Sequence, residues 1–310
     1  MSRELPARAT NTSRLKSRTM PQALLSSLRP KQWTKNLLLF LALIFARTLT
    51  DPSLVLLAGL AFVDFCLLAG ATYLVNDLVD LEQDREHPIK RFRPIASGQL
   101  PPSVAAAASL ALFAPGIALA WAVGTPFLLM AMLYVVLTLS YSFGLKHMVI
   151  MDVLAVAAGF VIRAAAGAVA ISVPISPWLY VVTILGALFI AISKRRHELL
   201  LLQSNAANHR KILEEYSVPL LDQMISVVTS ATVIAYSLYT FSAENLPKNH
   251  AMMLTIPFLL YGIFRYLYLT HMKDVGGSPE EVLIADRPLL VTILGWGLVS
   301  TAILYLAPPA

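Results

Sequence analysis

The stretch YLVNDLVDLEQDREHPIKRFRP, Tyr73 to Pro94, ends an apolar run with three aspartates at helical spacing and follows them at once with lysine and arginine. Asp77, Asp80 and Asp84 stand at i, i+3 and i+7. A helix continuing out of the apolar run therefore carries all three on one face, with Asn76 one turn above Asp80. Unpaired, these carboxylates repel one another. Hard oxygen ligands clustered in this way suit Mg²⁺, which keeps several waters and takes one or two carboxylates together with the phosphates of a substrate. Asn76, Asp77, Asp80 and Asp84 are therefore the candidate metal ligands. Lys90, Arg91 and Arg93 supply charge partners for further phosphate oxygens, arginine in bidentate fashion. The plainer alternative is a solvated loop in which acids and bases neutralise one another. It gives no reason for placing three aspartates on one helical face where an apolar run ends.

The rest of the chain puts that boundary at a membrane. Of 310 residues, 57% are hydrophobic and only 14% charged, with mean hydropathy +0.68, against a charged share of about a quarter in soluble domains. Nine apolar segments follow one another, at 36–50, 53–76, 102–121, 126–144, 149–171, 177–193, 224–241, 251–270 and 288–307. Most approach the roughly 20 residues that a helix needs to cross the hydrocarbon, the first and sixth being short. The runs are continuous and do not alternate every second residue, which excludes a sheet barrel. The expected fold is an all-α polytopic bundle of nine transmembrane helices. The single cysteine, Cys66, lies inside an apolar run and forms no intrachain disulfide.

Positive charge sets the expected orientation. Basic residues gather at 14–35, 85–93, 146, 194–211 and 273–287, whereas the opposite side holds only Arg47 and Lys248. The positive-inside rule then predicts a cytoplasmic N-terminus and an outer C-terminus. The long loops 77–101, 194–223 and 271–287 fall on the cytoplasmic side and carry almost every ionisable group, so the active site is expected there. The net charge of +6 is accounted for by topology and contact with anionic lipid, and no nucleic-acid partner is implied. Residues 1–30 are polar, rich in Ser, Thr and Arg, and lack a periodic apolar face; they read as a mobile basic tail preceding a transmembrane domain at 31–310. A transit peptide fits less well, given Glu4 and the absence of an arginine stripe.

The segment NDLVDLEQD matches the N-D-x-x-D-x-x-x-D motif of the UbiA superfamily of intramembrane prenyltransferases. The count of spans, the orientation and RPKQWTKNLLLF before the first span resemble that family as well. The resemblance runs from about Arg29 to the end. It implies a helical bundle around a central cavity, open to lipid on one side and capped by cytoplasmic loops. In that cavity Mg²⁺ held by Asn76, Asp77, Asp80 and Asp84 engages a diphosphate leaving group.

One departure is informative. Members acting on aromatic acceptors carry a second Asp-rich motif after the sixth span, where this chain reads AISKRRHELL, with Glu198 beside Lys194, Arg195 and Arg196. A cationic second half suits an enzyme that holds two phosphorylated substrates. Together with DREHPIKRFRPIASG, YSFGLKH, FVIRAAAGA and DRPLL, it resembles the decaprenyl-phosphate phosphoribosyltransferase branch. That branch moves 5-phosphoribose from phosphoribosyl pyrophosphate (PRPP) to a polyprenyl phosphate, toward lipid-linked arabinose and cell-envelope glycan. The resemblance implies Asp77, Asp80, Asp84 and Glu198 as catalytic residues. It implies Lys35, Lys90, Arg91, Arg93, Lys146, Arg163, Lys194 and Arg195 as holders of substrate phosphate. The acceptor arrives as an anion, so no general base is needed, in keeping with the absence of a His, Ser or Cys triad.

Other readings stay open on the residues alone. Prenyl transfer from a diphosphate to an aromatic or other acceptor uses the same fold and metal site. A transporter accounts for intramembrane Asp and Arg but not for a metal-type motif on one face. Asp152 and Arg163 share a face of the fifth span, as a buried ion pair, as a hydrogen-bonded helix anchor, or with Arg163 on a lipid phosphate. Gly159 and Gly167 allow close helix packing. His87 and His147 have no partner at metal or triad spacing. Asp64 reads as structural, and Arg265 fits no motif. Oligomeric state has no motif, and an oligomer is compatible with the sequence.

Overall fold

The structure, a computed structural model, describes residues 18–87, 89–174, 177–204, 211–243, 246–273, 282 and 285–306. Among the described residues every regular element is helical. The chain opens with α1 (Met20–Ser27) and a 3₁₀ stretch, Pro30–Phe40, that leads into the short α2 (Leu41–Phe45). Then come α3 (Pro52–Val79), α4 (Leu81–Glu86), α5 (Pro102–Val123), α6 (Thr125–Phe143) and α7 (Met151–Ala170). The series ends with α8 (Pro177–Ser204), α9 (Val218–Ser242), α10 (Ile256–Met272) and α11 (Arg287–Leu306).

The helix starts follow from local chemistry. Proline opens α3 and α5 and falls in the first two positions of α6, α9 and α10, where its missing N–H is one the helix leaves unbonded anyway. Asp51 caps α3 by accepting from Ser53 N at 2.9 Å and Leu54 N at 3.3 Å. Asp286 does the same for α11 through Leu289 N at 2.9 Å and holds Arg265 with both oxygens, at 3.1 and 2.7 Å. That pair explains Arg265, which no motif placed.

Seven helical segments among the described residues are long and apolar enough to cross a bilayer: α3, α5, α6, α7, α9, α11 and the run Ala251–Met272 that ends in α10. Two of the nine expected segments differ. Residues 177–193 lie within α8, whose 28 residues run on into the charged KRRHE sequence. Residues 36–50 are divided between the 3₁₀ stretch and five residues of α2, so no single long helix forms there.

Small residues decide how closely the helices approach. α3 packs along α5, α7 along α6 and α8, and α8 along α9. A Cβ at Gly167 would run into the Leu39 backbone carbonyl, so α7 crosses the 3₁₀ stretch at backbone contact. This crossing brings Asn36 to Arg163 and Lys35 over the Phe160 ring. Ser109 of α5 donates to Ala71 O at 3.1 Å, tying α5 to α3.

Residues 20–27, within the 1–30 segment expected to be a mobile tail, form α1. α1 buries Ala23 and Ser27, with Ala23 packed among Leu74, Ile95 and Leu100. Leu24 and Leu28 pack against the same cluster, a contact too short to show as a long apolar period.

Candidate active site

α3 ends at the aspartate cluster. Asp80 is both the last cap of α3 and the first of α4, with φ −88° and ψ 5°. The helix is therefore interrupted in the middle of the motif, yet Asp77, Asp80 and Asp84 all turn inward and are buried. Each meets a cation. Arg29 pairs with Asp77, and Arg93 bridges Asp77 Oδ1 at 3.0 Å and Asp84 Oδ2 at 2.5 Å. Lys146, only 1% exposed, pairs with Asp80 Oδ1. Asn76 Nδ2 donates to Asp80 Oδ2 at 3.2 Å, and Ser142 Oγ donates to Asn76 Oδ1 at 3.1 Å. His87 Nδ1 accepts the backbone N–H groups of Ile89 and Lys90, at 3.1 and 3.2 Å, which fixes the turn that presents Lys90 and Arg93.

In front of this cluster lies a cavity of about 300 Å³ walled by α3, α6, α7, α8 and the 3₁₀ stretch. Seven basic side chains line it, Arg29, Lys35, Lys90, Arg93, Arg163, Lys194 and Arg195, against one carboxylate, Glu198. Asn76 lines it too, while the three aspartates stand behind Asn76, Arg29 and Arg93. Of the residues expected to hold phosphate, Lys146 is engaged with Asp80 behind the wall. Arg91 is exposed, lies over the Phe92 ring at 4.9 Å, and is not part of the lining.

Arg163 is the distinctive cation. It is buried in α7, where Nε donates to Asn36 Oδ1 at 2.8 Å, Nη1 to Gly159 O at 2.8 Å and Nη2 to the Tyr134 hydroxyl at 2.9 Å. Its guanidinium lies 4.6 Å from the Tyr134 ring centre. Among the described residues no carboxylate pairs with it. The ion pair with Asp152 considered from sequence does not form, because eleven residues of helix separate the two by about 16 Å of rise.

Asp152 instead holds Arg195, whose Nε donates to Asp152 Oδ2 at 2.6 Å while its Nη atoms reach Glu198 and, at 3.2 Å, the Tyr141 hydroxyl. Arg195 is thus a fixed wall of the cavity. The Tyr216 hydroxyl donates to Asp152 Oδ1 at 2.7 Å and accepts from Ile150 N. Burial and the hydrogen bond to Asp152 push Tyr216 up to about 12, so its hydroxyl remains a donor at neutral pH. The sequence reading did not reach Arg29, Tyr134, Tyr141 or Tyr216. Of these, Arg29 and Tyr141 had a signal, since they open the quoted RPKQWTKNLLLF and YSFGLKH segments.

The donor chemistry of the aspartate cluster, one amide and three carboxylates, fits a hard divalent cation. The carboxylates are nonetheless shared with Arg29, Arg93 and Lys146. Among the described residues no three acidic, histidine or cysteine side chains are grouped as a metal would need.

A polytopic helical bundle with an anion-attracting cavity at the end of its apolar helices defines an integral membrane protein that handles a charged ligand at the bilayer boundary. The chain belongs to the UbiA prenyltransferase family, whose model matches residues 36–279. It is 37% identical to a decaprenyl-phosphate phosphoribosyltransferase of Corynebacterium glutamicum, over 96% of this chain and 91% of that one. It is 35% identical to a protein of the same name from Mycolicibacterium smegmatis, over 93% and 94%. In fold it is similar to a UbiA homolog from Archaeoglobus fulgidus bound to GPP and Mg²⁺, with TM-score 0.69, 18% identity and coverage of 91% and 99%.

Proposed function

We propose that the protein transfers 5-phosphoribose from PRPP to a polyprenyl phosphate of decaprenyl type, releasing pyrophosphate and supplying lipid-linked arabinose for cell-envelope glycan. Arg163 carries the reading. It is a buried cation, fixed by three hydrogen bonds and lacking a carboxylate partner among the described residues, in a cavity with seven basic side chains and one acid. Such a site is built for more than one phosphorylated ligand. The names of the Corynebacterium and Mycolicibacterium relatives supply the sugar and the lipid.

An oxygen of the acceptor phosphate bonds to C1 of the ribose as the bond from C1 to the diphosphate breaks, and the electron pair leaves with pyrophosphate. The acceptor is already an anion, so no side chain has to remove a proton. Arg29, Lys90 and Arg93 face the diphosphate, and Arg163, Lys194 and Lys35 hold the other phosphate groups. Arg195, locked by Asp152 and Glu198, fixes the wall against which they bind. Asn76, Asp77, Asp80 and Asp84 would hold Mg²⁺, which would offset the charge of the departing diphosphate. Arg29, Arg93 and Lys146 hold those carboxylates in place.

The proposed topology crosses the membrane nine times, counting α8 and the segment through Pro30–Phe45, with the cavity mouth and N-terminus cytoplasmic and the C-terminus outside. We place α1 and Arg29 inside the packed domain.

Purified protein is expected to release pyrophosphate from PRPP only when decaprenyl phosphate and Mg²⁺ are both present, with the lipid gaining the mass of phosphoribose. Arg163→Met should lower turnover by at least about tenfold, as loss of a charge-assisted phosphate contact does. Prenylation of 4-hydroxybenzoate from a prenyl diphosphate, with PRPP ignored, would overturn the reading.

A further inference from the structure

A second cavity, of about 340 Å³, lies between α8, α9, α10 and α11. Its size falls within the roughly 300–1,000 Å³ of pockets that enclose small ligands. Its character is opposite to that of the active-site cavity, because Thr232, Tyr236, Thr292 and Trp296 on its wall are already engaged within the protein. Thr232 Oγ1 donates to Val228 O and Thr292 Oγ1 to Pro288 O, each at 2.7 Å. Trp296 Nε1 donates to the Tyr236 hydroxyl at 2.6 Å, and that hydroxyl bonds Thr255 Oγ1, also at 2.6 Å. The wall between these groups is aromatic and aliphatic, including Phe189, Phe258 and Leu259. Such a surface suits hydrocarbon.

The two cavities meet on one helix. Ile190 of α8 lines both. It belongs to a stripe of residues four apart, Val182, Gly186, Ile190, Lys194 and Glu198, each beside the next, that winds around α8 by about 40° a step. Val182 and Gly186 line the apolar cavity, and Lys194 and Glu198 the charged one. Over about 24 Å of helix the stripe thus passes from charge to hydrocarbon. Glycine keeps the apolar end open. A Cβ at Gly186 would meet nothing within 4 Å, and one at Gly262 only Thr292 Cγ2 at 4.0 Å.

We infer that the isoprenoid tail of the polyprenyl phosphate passes over Ile190 into the cavity between α8, α9, α10 and α11 while its phosphate stays in the basic cavity. This rests on the acceptor assigned above. It identifies Gly186 and Gly262 as residues that determine acceptance of a long tail.

Two measurements test it. In the first, a polyprenyl phosphate carrying a diazirine a few isoprene units from its phosphate is photolysed with the full-length protein in nanodiscs, and labelled peptides are mapped. Labelling is expected on α8, α9, α10 and α11, competed by decaprenyl phosphate and not by phosphatidylglycerol, and reduced in Gly186→Leu and Gly262→Leu. Labelling confined to other helices overturns the inference. So does equal competition by phosphatidylglycerol, which would make the cavity a site for bilayer acyl chains. This arm needs no turnover, so it decides the tail site even if phosphoribosyl transfer is not observed. In the second, the ratio of kcat/KM for decaprenyl phosphate to that for geranyl phosphate should fall at least about tenfold in each leucine variant, the loss expected when roughly two tail methylenes lose their burial. An unchanged ratio in both variants, with unfolding temperatures near that of the unmodified protein, would also overturn it.

Discussion

Asp80 has one carboxylate oxygen on Lys146 and the other on Asn76, at the point where α3 gives way to α4. Removing either charge of the Asp80–Lys146 pair leaves the other buried and uncompensated, which costs about 3–5 kcal/mol for pairs of this kind. Asp80→Asn and Lys146→Met should therefore each lower the unfolding temperature and abolish turnover. The double variant should recover stability relative to either single change and remain inactive. A double variant as unstable as the sum of the singles would show that the pair is not coupled. Asp64 presents the opposite case. It is 0% exposed in α3, and neither carboxylate oxygen has a hydrogen-bond partner among the described residues. A buried polar group left unbonded costs about 1–3 kcal/mol. Asp64→Val, close in volume, should raise the unfolding temperature; a fall would reveal a partner that Asp64 serves. The aspartate face at 77–84 was legible in sequence because helical period reports which residues share one face. Its counter-charges were not. Arg29 lies 48 residues from Asp77, Lys146 lies 66 from Asp80, and Asn36 lies 127 from Arg163, separations on which periodicity carries no information.

At the scale of elements, apolar runs located the long helices well, since a bilayer fixes how much hydrocarbon each must present. They failed where backbone geometry is set by a neighbour. The segment 36–50 is apolar enough to look like a span, but it enters as a 3₁₀ stretch that α7 crosses at Gly167. Gly167→Ala places a methyl group against the Leu39 carbonyl, a backbone atom that cannot move aside as a side-chain tip does. Overpacking of this kind costs about 1–3 kcal/mol. The same shift moves Asn36 away from Arg163, so activity should fall along with stability. Arg163→Met and Gly167→Ala should then be less than additive in kcat/KM, because both disturb one contact. Full additivity would separate the helix crossing from the orientation of Arg163.

For the whole molecule, one charged cavity at the end of the apolar helices requires that the loops feeding it share one side of the membrane. Lys90 and Arg93 come from the segment after α3, Lys146 from the turn after α6, and Glu198 from the charged part of α8. Their convergence is expected if α8 crosses the bilayer, with residues before it and after it on opposite sides. The chain is suited to a direct test, because its single cysteine, Cys66, is buried in α3 and accepts a hydrogen bond from Asn36 Nδ2 at 3.3 Å. In a Cys66→Ala background, single cysteines replace Pro174, exposed before α8, and Glu214, exposed after it. A membrane-impermeant maleimide applied to intact cells is expected to label Pro174→Cys and to reach Glu214→Cys only after permeabilisation. Labelling of both from outside, or of neither, would place the two ends of α8 on one side and remove it from the count of crossings. The opposite pattern, with Glu214→Cys labelled from outside, would keep the crossing and invert the molecule, making the basic cavity face away from the cytoplasm and contradicting the positive-inside reading of its loops.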